Sequence, residues 1–295
     1  MSSAQSYRLL SRVVRPLPWW LVRLLGFVGG HIMWATQSTA RQTSQRHAAR
    51  VRHGDPQHVS RLDRRIARKR FASYGRYFLE TFWLNADRHA DILDRFELEG
   101  EKYLTDALAA GDGVVLAVAH IGNWDYAAIY PLSLGAPIIA VAEDLADDDL
   151  TEWFVAMRAE AGIEIVLADG TKGSFLQLVR AVKSGRVVAL LCDRDVSGTG
   201  VPVTFFGEET RLPAGPVVLA AAAGAPVLPV VCYLTKSGYR FVVDSPMKFT
   251  KADLGDTQSA AMQQVVDRLE PLIRRAPEQW HVLQPNWPSD PGYTQ

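Results

Sequence analysis

The chain is poor in the residues and motifs on which several common chemistries rest. Its 295 residues hold two cysteines, Cys192 and Cys232, each inside an apolar, strand-like run. This gives no support for a disulfide framework or a cysteine-based zinc site, and both read as inert buried thiols. There is no G-x-S-x-G elbow, no H-E-x-x-H, and no G-x-x-x-x-G-K-[ST] or G-x-G-x-x-G loop. Serine-elbow, metalloprotease, P-loop and dinucleotide chemistries therefore lack their anchors. Internal repeats and low-complexity tracts are missing as well, which removes solenoids and flexible multi-domain strings. Net charge is also missing, because 32 basic residues balance 32 acidic ones.

What is present is unevenly spread. Residues 1–80 carry 15 Arg or Lys against 3 Asp or Glu, and the remainder carries 17 against 29. A basic third beside an acidic remainder suits a polyanionic partner. The stretch "RPLPWWLVRLLGFVGGHIMWATQ", Arg15 to Gln37, argues for a membrane surface over nucleic acid. It combines Trp19, Trp20 and Trp34 with a long apolar run and flanking arginines, an interfacial composition. Leu17 to Ala35 nearly reaches the length of a span, about 20 residues. Arg23 and His31 interrupt it, and a central Arg costs on the order of 2.5–3.5 kcal/mol. A helix lying on or dipping into one leaflet is therefore expected over a span, with packing on the chain's own core as the alternative. No secretory cleavage pattern is convincing, which places the protein at the cytoplasmic side of the inner membrane, peripherally bound.

The length and a hydrophobic content of 48% suit one large domain with a helical extension. Residues 1–93 read as a helical, membrane-associating region. Within it, Leu62, Ile66, Phe71, Tyr74, Phe78 and Phe82 fall close to helical spacing. The cation run Arg64 to Arg70 is read as a solvated helix face, or as a contact for anionic headgroups. Residues 94–295 read as an α/β core. Strand-like runs are Gly113 to Ala119, Pro137 to Ala142, Ile163 to Ala168, Arg186 to Cys192, Pro226 to Leu234 and Tyr239 to Asp244. Helical candidates between the first five lie near Tyr126 to Leu134, Asp148 to Ala161, Ser174 to Lys183 and Pro216 to Ala223, and a last amphipathic helix covers Thr257 to Arg275. Near-continuous Val, Ile, Leu and Ala predict an α/β fold with a largely parallel central sheet flanked by helices.

In such a sheet the carboxyl ends of strands face the ligand crevice, and His120 closes the run "GVVLAVAH" at one such end. Gly122 permits a tight turn, and a helix starting near Asn123 would aim backbone N–H groups close to the imidazole. Asp125, one turn on, is expected to hold one ring nitrogen while the other accepts a proton. The nucleophile is then the substrate's own hydroxyl. A satisfied core histidine and a metal-binding pair are the competing readings of the same spacing.

The residues also carry a family resemblance. "HIGNWD", His120 to Asp125, resembles the H-x-x-x-x-D/E motif of the glycerophosphate and lysophospholipid acyltransferase superfamily. "CDRDVSGTGVPVTFFGEETRLPAGPVVLAAAAGAPVLPV", Cys192 to Val230, is similar to further blocks of the lipid A acyltransferase branch. "RRAPEQWHVLQPNW", Arg274 to Trp287, resembles its closing block. Phosphatidylinositol mannoside acyltransferases match best, through the W-H-x-L-Q-P pattern. The resemblance spans roughly residues 70 to 290. It implies a glycerol-3-phosphate acyltransferase-like fold and O-acyl transfer from an acyl thioester.

The expected reaction moves palmitoyl from acyl-CoA, a co-substrate, to a mannose hydroxyl of an anionic glycolipid, with no resident cofactor, no metal and no nucleic acid. His120 is then the base, Asp125 orients it, and backbone donors near Gly122 to Trp124 hold the oxyanion, with Asn123 counted among the substrate-binding residues. Asp193, at the end of "RVVALLC", matches an acidic residue expected to hydrogen-bond sugar hydroxyls, with Asp195 competing for that task. Arg211 matches a phosphate-holding position, or else it pairs with Glu208 or Glu209. Arg158 is a candidate for a carrier phosphate, Glu143 closes a strand near the crevice, and both also read as ordinary surface charges. His281 belongs to the closing block, or merely packs beside Trp280. The stretch Ala214 to Pro226 is core packing, or a slot for the acyl chain. Acylation of a lipid A precursor from acyl carrier protein is the rival within the class, weakly disfavoured by 25 Arg against 7 Lys, a GC-rich coding bias. A carboxylester hydrolase and a non-catalytic lipid carrier are the rivals outside it.

Overall fold

The computed structural model describes residues 3–142, 147–168, 171–255 and 257–293. In chain order the helices are α1 (Ser3–Val14), α2 (Trp19–Thr36), α3 (Ser38–His53), α4 (Arg61–Trp83), α5 (His89–Leu93), α6 (Glu101–Ala109), α7 (Trp124–Ala127), α8 (Ile129–Ser133), α9 (Asp148–Glu160), α10 (Lys172–Lys183), α11 (Gly215–Ala223) and α12 (Ser259–Arg275). The strands are β1 (Phe96–Glu99), β2 (Val114–Gly122), β3 (Ile138–Ala142), β4 (Ile163–Leu167), β5 (Val187–Leu191), β6 (Val201–Phe205), β7 (Glu208–Leu212), β8 (Val227–Leu234) and β9 (Tyr239–Val243).

Seven strands form one sheet in the order β1-β9-β8-β2-β5-β3-β4, and every neighbouring pair is parallel except β8 with β9. β2 is central. Strands β3 to β5 lie on one side of it and β8, β9 and β1 on the other, so the chain changes direction there, as at a ligand crevice. Burial on both faces explains the unbroken apolar character of β2. Val115, Ala117, Ala119 and Ile121 join the core shared with α10, α11 and α12, while Val114, Leu116 and Val118 join the core beneath α4 and α9.

The six strand-like runs read from the sequence all lie in this sheet. β1 and the β6–β7 hairpin do not follow from the apolar-run criterion. β1 is a four-residue edge strand with mostly exposed side chains, and β6 alternates buried and exposed positions. α11 seats Val217, Leu219 and Ala220 in the core, which realises the packing reading of its small residues.

The N-terminal helices are built into the same body. Val14, Val22, Phe82 and Trp83 share the core on the α4 face of the sheet. α2 crosses α4 at backbone contact: a Cβ on Gly26, Gly30 or Gly75 would run into main-chain atoms of the other helix. Arg23 finds its partners within the protein, donating to the Lys236 and Thr235 carbonyls at 2.7 and 3.1 Å and stacking 4.2 Å over Trp19. In the basic run Arg64, Arg65, Arg68 and Lys69 are exposed, but Arg70 is buried and donates to the Ser44 and Pro277 carbonyls.

The C-terminal stretch returns along the end of β2. Ile121 pairs with Trp280, and the His281 N–H donates to the His120 carbonyl at 2.7 Å. Trp280 and Trp287 are fully buried, packed among Phe205 and Phe206 of the hairpin. Asp290 fixes this tail to α3, accepting from His47 Nε2 at 2.8 Å and Arg50 Nη1 at 3.2 Å.

Candidate active site

His120 sits on the last turn of pleat of β2, partly exposed. Its ring is held by Asp193, not by Asp125. Asp193 lies two residues beyond β5, the strand beside β2, and is fully buried. Its Oδ1 accepts from His120 Nδ1 at 2.7 Å. Its Oδ2 accepts from the His120 backbone N–H at 2.8 Å and from Trp280 Nε1 at 2.7 Å. Burial alone would raise the Asp193 carboxyl, but His120 and Trp280 outweigh it and hold the group below its ordinary value. An ionised carboxylate only accepts, so Nδ1 carries a proton, and the neutral form of the ring presents its lone pair at Nε2. Nε2 has no protein hydrogen-bond partner among the described residues. The arrangement is that of an oriented general base.

Three expectations are corrected here. Asp193 cannot reach sugar hydroxyls, because it is sealed from solvent and its oxygens already accept three N–H groups. Asp125 does not touch His120. One helical turn after Gly122 its carboxylate points toward α4 and α9, where it accepts from Tyr77 Oη at 3.2 Å, Thr81 Oγ1 at 3.1 Å and Arg158 Nε at 2.9 Å. Arg158 is thereby paired inside the protein, which corrects its expected role on a carrier phosphate. Burial works to lower the Arg158 pKa, but the neighbouring Asp125 and Tyr77 raise it above the ordinary value. Burial and the adjacent Asp125 together raise the Tyr77 hydroxyl, which stays a donor.

One of the expected oxyanion donors is engaged elsewhere. The Asn123 N–H bonds the Cys232 carbonyl at 2.8 Å, and α7 is only four residues long, so little helix dipole reaches the imidazole. The Asn123 side chain is buried, capping α7 through Tyr126 N at 3.1 Å and donating to Glu80 Oε2 at 3.1 Å. It fixes the loop after His120 and contacts no open site. Gly122 is required by the same junction: its φ is 63°, and a Cβ there would run into the Cys232 carbonyl.

His281 packs beside Trp124, Tyr74 and Tyr77, with Nε2 2.8 Å from Ser73 Oγ and Nδ1 buried without a partner. Burial, then Arg70 and His120, lower its pKa well below the ordinary range, so the ring is neutral. Asp195 organises its own loop, accepting from Ser197 N, Gly198 N and Gly200 N, and lines a polar cleft. Arg211 makes no ion pair among the described residues, whereas Glu208 pairs with Arg50. Arg211 opens instead on a polar cleft of about 640 Å³ with Arg194, Asp195, Gln284, Asn286 and Tyr293. Glu143 lies outside the described residues.

A family model described as bacterial lipid A biosynthesis acyltransferase matches residues 7–289. The chain belongs to this family. It is therefore an enzyme that transfers acyl groups, in line with the resemblance read from its motifs. The acyltransferase is 39% identical over 222 residues to a protein of Mycobacterium tuberculosis (strain CDC 1551 / Oshkosh) named phosphatidylinositol mannoside acyltransferase, covering 74% of this chain and 69% of that one. It is 34% identical over 280 residues to the protein of the same name from Mycolicibacterium smegmatis (strain ATCC 700084 / mc(2)155), covering 95% and 89%.

Several residues that shape the acyltransferase's site were not legible as such. Trp280 stands in the quoted closing block, but only the fold brings its indole to Asp193. Ser73, Tyr77 and Thr81 do leave a trace: they form a polar line at helical spacing along α4.

Proposed function

We propose that this acyltransferase moves a fatty acyl group, palmitoyl in the expected case, from acyl-CoA to a mannose hydroxyl of a phosphatidylinositol mannoside at the cytoplasmic membrane face. The observation that carries the reading is the His120–Asp193 pair, which leaves Nε2 open at the carboxyl end of the central strand. The names of the two relatives support the acceptor.

In the proposed reaction His120 Nε2 takes the proton of the sugar hydroxyl as its oxygen attacks the thioester carbonyl. Asp193 stabilises the imidazolium so formed. When the tetrahedral intermediate collapses, the C–S bond breaks and His120 returns the proton to the leaving thiolate. The products are an ester and free CoA, with no covalent enzyme intermediate. Arg211, without an ion pair among the described residues, is assigned to a substrate phosphate.

Membrane contact is supported by the outer face of α2. The glycine crossing buries its narrow side on α4, which turns Trp20, Leu24, Phe27, Val28 and Ile32 outward, with Trp20 62% and Ile32 59% exposed. Leu9 and Val13 of α1 are exposed as well, and exposed Arg8 and Arg12 suit anionic headgroups. Among the described residues no helix is long and apolar enough to cross a membrane.

The test is mass spectrometry of lipids after incubation of the purified enzyme with palmitoyl-CoA and a mixed pool of mannosylated phosphatidylinositols and lipid A precursors. Gain of one palmitoyl mass on a mannosylated species is expected. Gain on a lipid A precursor alone would replace the acceptor, and free fatty acid released equally without acceptor would replace transfer by hydrolysis.

A further inference from the structure

We propose that Trp280 is a positioning residue for the base: its indole N–H pins the Asp193 carboxylate and takes up part of its charge, so that His120 meets the substrate hydroxyl as the free imidazole. Nothing in the spacing of the chain pairs Trp280 with Asp193; the fold alone delivers a residue of the C-terminal tail to the acid behind the base. The inference rests on the reading of His120 as base and not on the identity of the acceptor.

The tail reaches this point on fixed backbone. Trp280 pairs with Ile121 across a β-bridge, and the next N–H, that of His281, donates to the His120 carbonyl at 2.7 Å. The Trp280 ring is fully buried, wedged among Phe205, Phe206 and Trp287 with centroid separations of 5.8, 5.9 and 5.9 Å. The indole N–H therefore arrives at Asp193 Oδ2, 2.7 Å away, as a donor that cannot swing aside. Oδ2 also accepts from the His120 backbone N–H at 2.8 Å. Two donors on one oxygen set the plane of the carboxylate, which aims Oδ1 at His120 Nδ1, at 2.7 Å. With the backbone donor alone the carboxylate is free to turn about its Cβ–Cγ bond.

The chemistry of the donor matters as much as its place. An indole N–H donates only. It can neither compete with Oδ1 for the Nδ1 hydrogen nor bring a charge of its own. A hydrogen bond to a carboxylate favours its charged form. Burial works to raise the Asp193 carboxyl, and His120 first and Trp280 after it bring it below its ordinary value. A less basic carboxylate holds an imidazolium less tightly, so the ring gives up its second proton at lower pH. Other titratable and charged groups face this cluster from the elements around it. Arg70 of α4 lies 5.5 Å over the Trp280 ring and the His47 ring of α3 packs 5.6 Å from it, while Cys192 and Arg194 flank Asp193 in the chain and His281 follows Trp280. Burial, then Asp193, raise the Cys192 thiol well above its ordinary value, and His281 is neutral. None of these groups is bonded to the indole N–H, so they stay in place when it is removed.

The test is the pH profile of kcat/KM for labelled acyl transfer to whichever acceptor the lipid assay identifies. The full-length enzyme is compared as wild type, as Trp280→Phe, and with 3-benzothienylalanine in place of Trp280, which keeps the shape of the indole and exchanges its N–H for sulfur. Loss of the donor predicts that the acid limb moves up by about 0.5–1 pH unit in both altered enzymes, which lowers the rate about 3- to 10-fold on that limb and keeps the plateau above it within about threefold. A role in packing alone would lower the plateau or the melting temperature and leave the limb where it is. A limb that stays in place or moves down in the benzothienyl enzyme overturns the proposal, and that enzyme decides should Trp280→Phe fail to fold. His120→Ala, measured alongside, separates the two readings. If it keeps the wild-type rate, the base reading falls and the role of Trp280 with it. If it is inactive while the limb stays fixed in the benzothienyl enzyme, only the role of Trp280 falls.

Discussion

Asp193→Asn is the sharpest perturbation, because it changes one atom and leaves the shape. In the native site Oδ2 accepts two donors that cannot change, the His120 backbone N–H and the Trp280 indole N–H, while Oδ1 accepts only from Nδ1. An asparagine has one oxygen to offer. Turned toward the backbone and indole donors, it satisfies both and aims its NH2 at Nδ1, which must then lose its proton to Nε2. Turned the other way, it keeps the active tautomer and leaves two buried donors facing an NH2.

The second arrangement strands two donors where the first strands none; even one such donor costs about 1–3 kcal/mol, or roughly 5- to 150-fold in population. The protein therefore settles on the tautomer in which Nε2 is protonated and cannot act as a base, and the imidazolium loses its carboxylate. Loss of oriented general-base catalysis predicts a fall in kcat of about 10²–10⁴, with KM for acyl-CoA within about threefold. The assay is the initial rate of labelled acyl transfer, with a thermal melt to show that the variant is folded. An Asn variant at the wild-type rate would refute the argument, since it would mean that Asp193 does not set the proton on His120.

Other outcomes follow from the same geometry. Asp125→Ala strands the partly buried Arg158, 17% exposed, and should destabilise the fold by about 2–3 kcal/mol in denaturant titration, while Asp125→Ala combined with Arg158→Met recovers part of that loss. A fall in kcat on Asp125→Asn at unchanged stability would instead return Asp125 to the imidazole. Gly75→Val forces α2 off α4 by main-chain collision and should lower the melting temperature, with about 1–3 kcal/mol or more lost. Replacing Trp20, Phe27 and Ile32 together by Ser should abolish co-flotation with anionic vesicles without lowering the melting temperature; unchanged flotation would remove α2 from the membrane contact.

The α4 cap gives a pH test. Burial works to raise the Asp63 carboxyl, but hydrogen bonds from Ser60, Arg52 and His53 bring it down to about 2 from 3.8. A lowered folded value gives stability that is complete above about pH 4 and is lost as pH falls through about 2, here about 2 kcal/mol. Asp63→Asn should then cost about that much at pH 7 and almost nothing near pH 2.

What the sequence determined by itself is whatever local pattern and order can carry. Continuous Val, Ile, Leu and Ala in β2, β5 and β8 announce strands covered on both faces, and a histidine at the end of one such strand announces a site. Ordered motifs gave the family. The tertiary structure decided which acid serves the base. Asp125 lies five residues from His120, yet its carboxylate points into α4 and α9. Asp193 lies 73 residues away in sequence and reaches the ring because β5 pairs with β2. Spacing along the chain fixes the direction of a side chain only within one element, whereas a hydrogen bond between strand ends depends on sheet order and on a tail that delivers Trp280 from the far terminus.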